Sequence, residues 1–418
     1  METLKRIFRI PELRNALLFI VFVVVVFRVA AHIPVPGIDA SGLSSILSGN
    51  QFLGILNMFS GGTLANFSIV ALGVSPYITA SIIFQLLGMI FPSMEELQKE
   101  EQGRQRISRY TRFATVPLAF LQGYGVIRLL ESQQQLGIQM TGIELVFALI
   151  SMAAGSVFLM WLGELATERK MGNGISLLIF AGIMAGLPAA VAQALATYTS
   201  ADMLNIVLFV VLSIVTIVGV VVVTEGQRNI PVQYARGGGK VSGKVQSTLP
   251  LRLNIGGMIP IIFALSIVVL PPLLAQFFTQ ARTEIIRNAA QWVVVTFQNN
   301  TVHAVLYFAL VFAFTFFYAS IVFRPEQISE NLQKQGGFIP GVRPGEQTTK
   351  YLQWVMNRLL LSGAFFLATI AVLPNVVQGF TGNQSLAIGG SSIIIVVSVV
   401  IDIVKQVQSQ LTMRAYDV

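Results

Sequence analysis

The sequence predicts an all-α polytopic membrane protein with ten transmembrane helices, and three observations carry that expectation. Only 11% of the 418 residues are charged and 54% are hydrophobic, against about 25% charged in an ordinary soluble domain. The apolar residues gather in runs of membrane-spanning length, and the basic residues sort to one side of those runs. A mean hydropathy of +0.73 and 29 Phe ask for a larger core than the chain's own polar side chains can cover in water. Lipid is therefore the expected solvent for most of the chain.

A span needs about 20 mainly apolar residues. Ten such runs fall near 15–33, 74–92, 113–131, 143–165, 174–194, 204–224, 255–274, 302–323, 354–374 and 387–404. The basic start METLKRIFRIPELR resembles a secretory signal, but the run after it is span-length and no small-residue cleavage site follows, so it is expected to stay as the first span. Basic residues near span ends favour the cytoplasm. With the N-terminus inside, the inner segments hold 23 of the 27 Lys and Arg. Only Arg28, Arg128, Arg282 and Arg287 fall near outer span ends or in outer loops. One misplaced span would erase that asymmetry, so both termini are expected to be cytoplasmic.

Residues 52–60, FLGILNMFS, are apolar but too short to cross, and Gly61-Gly62 would break a helix. Two readings stay open here. One is a short re-entrant helix on the outer face, folded into the protein because irregular backbone at membrane depth must be shielded from lipid. The other is an interfacial helix lying on the bilayer.

Composition disfavours an enzyme. There is no cysteine to act as nucleophile or thiolate ligand, and two separate histidines, His32 and His303, do not make a metal cage. A hydrolase would need a Ser–His or paired-carboxylate arrangement, and neither GxSxG nor HExxH occurs. A secondary transporter would need a charged site at mid-membrane, yet Glu144, Glu164, Glu225 and Asp402 all lie near span ends, and Arg28 is close enough to an end to snorkel. No metal or cofactor is expected.

The second span is dotted with neutral polar groups, Ser75, Tyr77, Thr79, Ser81 and Gln85, and begins at Ser75-Pro76, a good helix start. Similar mixtures surround Asn173 and Ser176 in the fifth span and Asn254 and Ser266 in the seventh. Packing through small residues accounts for much of this; the alternative is a pathway tolerant of polar and apolar passengers. Two cytoplasmic loops are longer than a helix hairpin requires. Loop 225–253 contains IPVQYA, which suits a β-hairpin turning at Gly237-Gly238-Gly239. A P-loop reading of Gly239-Lys240 fails, since Val241 stands where Ser or Thr would hold magnesium. Loop 324–353 contains FIPGVRPGEQT, whose Pro and Gly residues fix a tight turn with Arg343 at its tip. Two rigid basic protrusions on one face suit a docking platform for a large partner.

Eight collinear blocks carry a resemblance that covers essentially the whole chain. They are HIPVPG (32–37), NMFSGG (57–62), ALGVSPYITASIIFQLL (71–87), GNGISLLIFAGI (172–183), IPVQYAR (230–236), LPLRLNIGGMIP (249–260), GGFIPGVRPGEQT (336–348) and IDIVKQVQSQL (401–411). In these the chain resembles the SecY family of bacterial protein-translocation channels. The resemblance implies two pseudo-symmetric five-helix halves, 1–197 and 198–418, with a plug helix at about 52–66 that includes Leu56, Asn57, Met58, Phe59, Ser60, Gly61 and Gly62. It implies a pore ring of Val74, Ile78, Ile175, Ile179, Ile262 and Ile395, and a lateral gate at Thr79, Gln85, Asn254 and Leu270. Partner docking falls on Arg228, Arg236, Lys240, Lys244 and Arg343, although the 225–253 loop is slightly short and its tip, GGGKVSGK, carries fewer cations than in many relatives. The implied function is passage of secretory polypeptides across the bacterial cytoplasmic membrane and sideways release of membrane helices into lipid. The implied partners are the SecA ATPase motor or a ribosome, the small subunits SecE and SecG, and substrates bearing signal sequences. Helical spacing agrees with these implied assignments, since one turn separates Val74 from Ile78 and Ile175 from Ile179, and branched aliphatic side chains converging as the resemblance implies would make a dry constriction that resists ions by dewetting.

Overall fold

The structure, a computed structural model, describes residues 10–35, 43, 53, 54, 56, 57, 60–131, 142–170, 172–196, 203–234, 247–279, 281–381 and 384–415. Helix α1 (Pro11–Ala30) places Pro11 in its first turn, where the missing N–H costs nothing, and Arg28 in its last. Helix α2 (Ser75–Ile90) also starts on a proline and breaks at Phe91 into the short α3 (Pro92–Lys99). Then come α4 (Glu101–Glu131), α5 (Ile143–Glu168), α6 (Gly174–Ala196) and α7 (Met203–Glu225). The second part holds α8 (Ile259–Gln276), α9 (Glu284–Gln298), α10 (Asn300–Val322), α11 (Pro325–Lys334), α12 (Glu346–Thr381) and α13 (Gln384–Ala415).

Among the described residues eight helices are long and apolar enough to cross a membrane, the bent pair α2–α3 counted as one span makes a ninth, and a shorter apolar stretch, Gly174–Pro188 of α6, stands at the place of the expected fifth span. Each expected span thus falls on a helix. The boundaries differ most for α12, whose 36 residues reach about 54 Å at 1.5 Å per residue, well beyond a hydrocarbon layer of about 30 Å. Its basic first turns, with Lys350 and Arg358, stand outside the apolar layer, so hydropathy alone stops the span short. Helices α3, α9 and α11 were not expected at all, because each is too polar to read as a span.

Large apolar side chains remain exposed where lipid would cover them. Leu18, Val21, Phe22, Val25 and Val29 repeat at helical spacing along α1, as do Val211, Ile214, Val218 and Val222 along α7. Inside, α1, α2, α4, α5 and α6 pack among themselves, and α7, α8, α10, α12 and α13 do likewise. The two sets meet where α8 lies against α2 and α4 and where α6 lies against α13. Each histidine makes one hydrogen-bond contact to a neighbouring group. His32 Nδ1 is 2.8 Å from the Arg28 carbonyl, and His303 Nδ1 is 3.3 Å from the Asn375 amide.

A small antiparallel sheet stands at the basic end. Strand β1 (Gln227–Tyr234) pairs with β2 (Ser247–Arg252), and its end pairs with β3 (Gly337–Phe338). The expected hairpin is therefore present, while its turn, with Arg236, Lys240 and Lys244, lies outside the described residues. Pro231 is tolerated because β1 is paired on one side only at that position. Alternation turns Ile230 and Val232 inward, onto Leu332, Ile339, Leu352 and Val355, so the sheet is fixed to α11 and α12.

Glycines set the closest helix contacts. A Cβ on Gly155 of α5 would stand 2.0 Å from the Ile69 carbonyl oxygen, whereas one on Gly186 of α6 would meet nothing within 4 Å. Gly155→Ala is therefore expected to cost about 1–3 kcal/mol through overpacking and Gly186→Ala to be neutral or mildly stabilising. Thermal melts of the purified variants check the order; equal melting temperatures would mean the Ile69 backbone yields freely.

Candidate functional site

The site begins with the stretch between α1 and α2. Leu53, Leu56 and Leu64 are 0%, 7% and 2% exposed, so this stretch is folded into the protein rather than laid on the bilayer, and of the two readings the re-entrant one holds. Its irregular backbone is satisfied locally. The Asn57 carbonyl accepts from Ser60 Oγ and from the Gly62 N–H, each at 2.8 Å, and Asn57 Oδ1 accepts from the Ala65 N–H at 3.1 Å. Ser60 Oγ accepts from the Leu64 N–H at 3.2 Å, and Thr63 Oγ1 lies 2.9 and 2.8 Å from the Ser60 and Val70 carbonyls. Gly61 and Gly62 take φ of +73° and +78°, the left-handed region that suits glycine. The return path is strapped to the end of α1 by Val35 N–H to Phe67 O and Ile69 N–H to Ile33 O, both 2.9 Å. Met58 and Phe59 lie outside the described residues.

The re-entrant stretch touches the helix wall through backbone. A Cβ on Gly182 of α6 would stand 2.1 Å from Gly61 Cα, and one on Gly61 would meet Phe27 of α1 at 2.9 Å. Gly182 lies three residues beyond Ile179 on the same helix, so this contact is about one turn from a residue of the expected ring.

All six expected ring residues, Val74, Ile78, Ile175, Ile179, Ile262 and Ile395, are buried in one continuous apolar core that also holds Leu56. They come from α2 and its N-cap, α6, α8 and α13. Ile78, Ile175 and Ile262, from three different helices, line one cavity of about 490 Å³. Its remaining walls are mixed, with Ile259 and Phe263 beside the polar Tyr77, Ser81, Gln85, Asn173 and Ser176, and with Arg112 and Glu164 paired at 2.8 Å. The cavity is thus a vestibule of mixed polarity beside the end of α5 and the start of α6, with the isoleucines among its lining. Val74, Ile179 and Ile395 are buried beyond that lining.

The seam between the two helix sets joins α2 and α4 to α8. Thr79 is buried, and its Oγ1 accepts a 3.0 Å bond from Gln122 Nε2 of α4. Gln122 was missed by the sequence reading; an amide in the middle of the third span was the available signal. Tyr124 of α4 stacks on Phe277, with centroids 4.9 Å apart, and a Cβ on Gly125 would stand 3.2 Å from the Leu273 carbonyl oxygen. Leu270 is half-buried on α8. Gln85 donates to Ser81 at 3.0 Å within α2, and Asn254 donates to the Gly257 carbonyl at 2.9 Å, shaping the entry to α8. A small void lined by Leu56, Ser75, Gln122 and Leu273 joins the re-entrant stretch to this seam.

On the basic face, Ile339 and Val342 anchor loop 339–345 in the core of the small sheet. Gly341 and Gly345 take φ of +80° and +97°, Ser329 Oγ donates to the Gly345 carbonyl at 2.8 Å, and Thr348 Oγ1 donates to the Arg343 carbonyl at 3.0 Å. Arg343 is presented outward from a fixed backbone, and Arg228 is exposed on β1.

Residues 68–404 match the SecY family model. The chain is 41% identical to the protein translocase subunit SecY of Streptomyces coelicolor, over 99% of this chain and 98% of that one. It is 42% identical to the subunit of the same name from Pseudomonas aeruginosa, over 98% and 93%. "The structure of a protein conducting channel" is similar with a TM-score of 0.65 at 18% identity, covering 94% of this chain and 91% of that one. "Sec61 in the Canine ribosome-channel complex from the endoplasmic reticulum" is similar at 0.62 and 17%, with the same coverage. A family match running from the strap after the re-entrant stretch to the last span, joined by full-length likeness above 40%, places this ten-span chain in the SecY family of protein translocase subunits.

Proposed function

We propose that the chain is the channel subunit of a bacterial translocase, passing unfolded polypeptides across the cytoplasmic membrane and releasing apolar segments sideways into lipid. The observation that carries this reading is the convergence of Ile78, Ile175 and Ile262 from three helices on a vestibule of about 490 Å³. A polypeptide entering this mixed-polarity vestibule meets a ring with no fixed hydrogen bonds to break, and the ring closes again by dewetting. Val74, Ile179 and Ile395 complete the ring, and residues 52–66 form the plug seated on Gly182. The halves 1–197 and 198–418 part along the seam of α2 and α4 against α8, where Thr79, Gln85, Asn254 and Leu270 belong to the gate. Sideways release is favoured because each CH₂ moved from water into lipid is worth about 0.8 kcal/mol.

Energy comes from outside the chain in this reading. SecA or a translating ribosome docks on Arg228, Arg236, Lys240, Lys244 and Arg343, SecE and SecG brace the helices, and both termini are cytoplasmic. Arg343 fits a docking role because its loop is rigid and its side chain is outward. Arg343→Glu is expected to leave the melting temperature unchanged while sharply lowering motor-driven import of a secretory substrate into vesicles, through like charge in a docking contact. Normal import would remove Arg343 from the docking surface.

Ion leak tests the ring. Ile179→Asn or Ile395→Asn should raise the resting conductance of the purified channel in planar bilayers, and the double variant should raise it further. Lost thermal stability with no added conductance would make these residues ordinary packing. For the gate, Thr79→Cys with Leu270→Cys should crosslink, since a disulfide needs Cα atoms within about 7 Å, and the crosslink should block insertion of membrane helices but spare ATP turnover by the motor. Unimpaired insertion in the crosslinked protein would sink the sideways route at this seam.

A further inference from the structure

Between α8 and α10 the chain runs through α9, 15 residues that no reading above uses. Helices α8 and α10 cross the membrane in opposite directions, with β2 and α11 at their basic ends. Helix α9 therefore lies at the opposite, outer face. At 1.5 Å per residue it is about 22 Å long, and Glu284, Arg287, Asn288 and Gln291 bar it from crossing.

Helical spacing divides α9 into three faces. Ala290 is buried and Phe297 packs on the main core, so one face is turned to the protein, against α8 and α10. Glu284, Asn288 and Gln291 are exposed on one flank, interrupted by Val295. On the other flank Ile285 is 80% exposed and Trp292 66%, with the exposed Ala289 between them. A water-facing loop helix needs neither large apolar group there. The flanking spans add exposed apolar side chains at the same end, Phe278 after α8 and Val302 and Val305 of α10. Adjoining polar and apolar flanks with a tryptophan near their boundary are what a helix in the headgroup region requires.

We propose that α9 is an interfacial anchor seated in the outer leaflet, with Ile285 and Trp292 among the upper acyl chains and Glu284, Asn288 and Gln291 in water. The occupant of the apolar flank is phospholipid, not a further subunit. Because α9 packs directly on α8, the anchor fixes the depth and tilt of one wall of the seam. This inference rests on the spanning helices alone and stands whether or not the channel reading does.

The chain has no cysteine, so single nitroxide labels test the proposal without a background. Ile285→Cys, Ala289→Cys and Trp292→Cys sample the apolar flank, Glu284→Cys, Asn288→Cys and Gln291→Cys the polar one, each in the assembled complex with cysteine-free partners in phospholipid vesicles. All six are exposed positions, so folding is not at stake. Collision with oxygen, which concentrates in lipid, is expected to exceed collision with a water-soluble nickel chelate by several-fold at 285, 289 and 292, and the ratio is expected to reverse at 284, 288 and 291. Nickel access equal on both flanks would make α9 a solvated loop helix and overturn the anchor. Exclusion of both reagents at 285 and 292 would show a protein partner on that flank and overturn it equally.

Discussion

Every backbone N–H and C=O at membrane depth must find a partner inside the protein, because lipid offers none, and the architecture follows from that demand. The ten spans meet it by being helical. The stretch between α1 and α2 cannot, since its glycines and turns break the helical ladder, so side chains take over. Asn57, Ser60 and Thr63 supply the missing bonds. Such a body can sit at depth only if its neighbours make room, which is why Gly155 and Gly182 face Ile69 and Gly61 with no Cβ of their own.

The same logic separates what was legible in the sequence from what was not. Spans were legible because lipid exposure on one side and core on the other leaves long apolar runs. The hairpin at Ile230 was legible from its β-branched content. Helix α9 was invisible as a span signal because its apolar residues fall on only part of its surface. The seating of Gly61 on Gly182 was not legible either, since a glycine in a span reads equally well as packing, hinge or ornament until its neighbour is known. Gln122 shows the converse limit: a lone amide in a span announces a polar partner, but only the fold names Thr79.

Placing the six aliphatic ring positions needed more than pattern. An isoleucine at helical spacing is ordinarily core, and nothing about Ile175 distinguishes it from Leu177 or Leu178 in composition. Family resemblance selected these positions, and the fold brings Ile78, Ile175 and Ile262 to one cavity from helices far apart in sequence. The basic face is built on different terms. Its sheet has a separate apolar core, joined to α11 and α12, so the Arg343 loop is held to the long α12 rather than to the helices that line the vestibule.

The bonds made by Asn57, Ser60 and Thr63 all stay within residues 56–70, while the contact across to Gly182 is backbone against backbone. This stretch therefore carries its own stitching with it. Its links to the end of α1 lie further along, where Asn66 Nδ2 donates to the Ala31 carbonyl at 3.4 Å and the Ile69 N–H to the Ile33 carbonyl at 2.9 Å. The shape of the stretch is thus kept by its own side chains, and its meeting with Gly182 is one of fit alone.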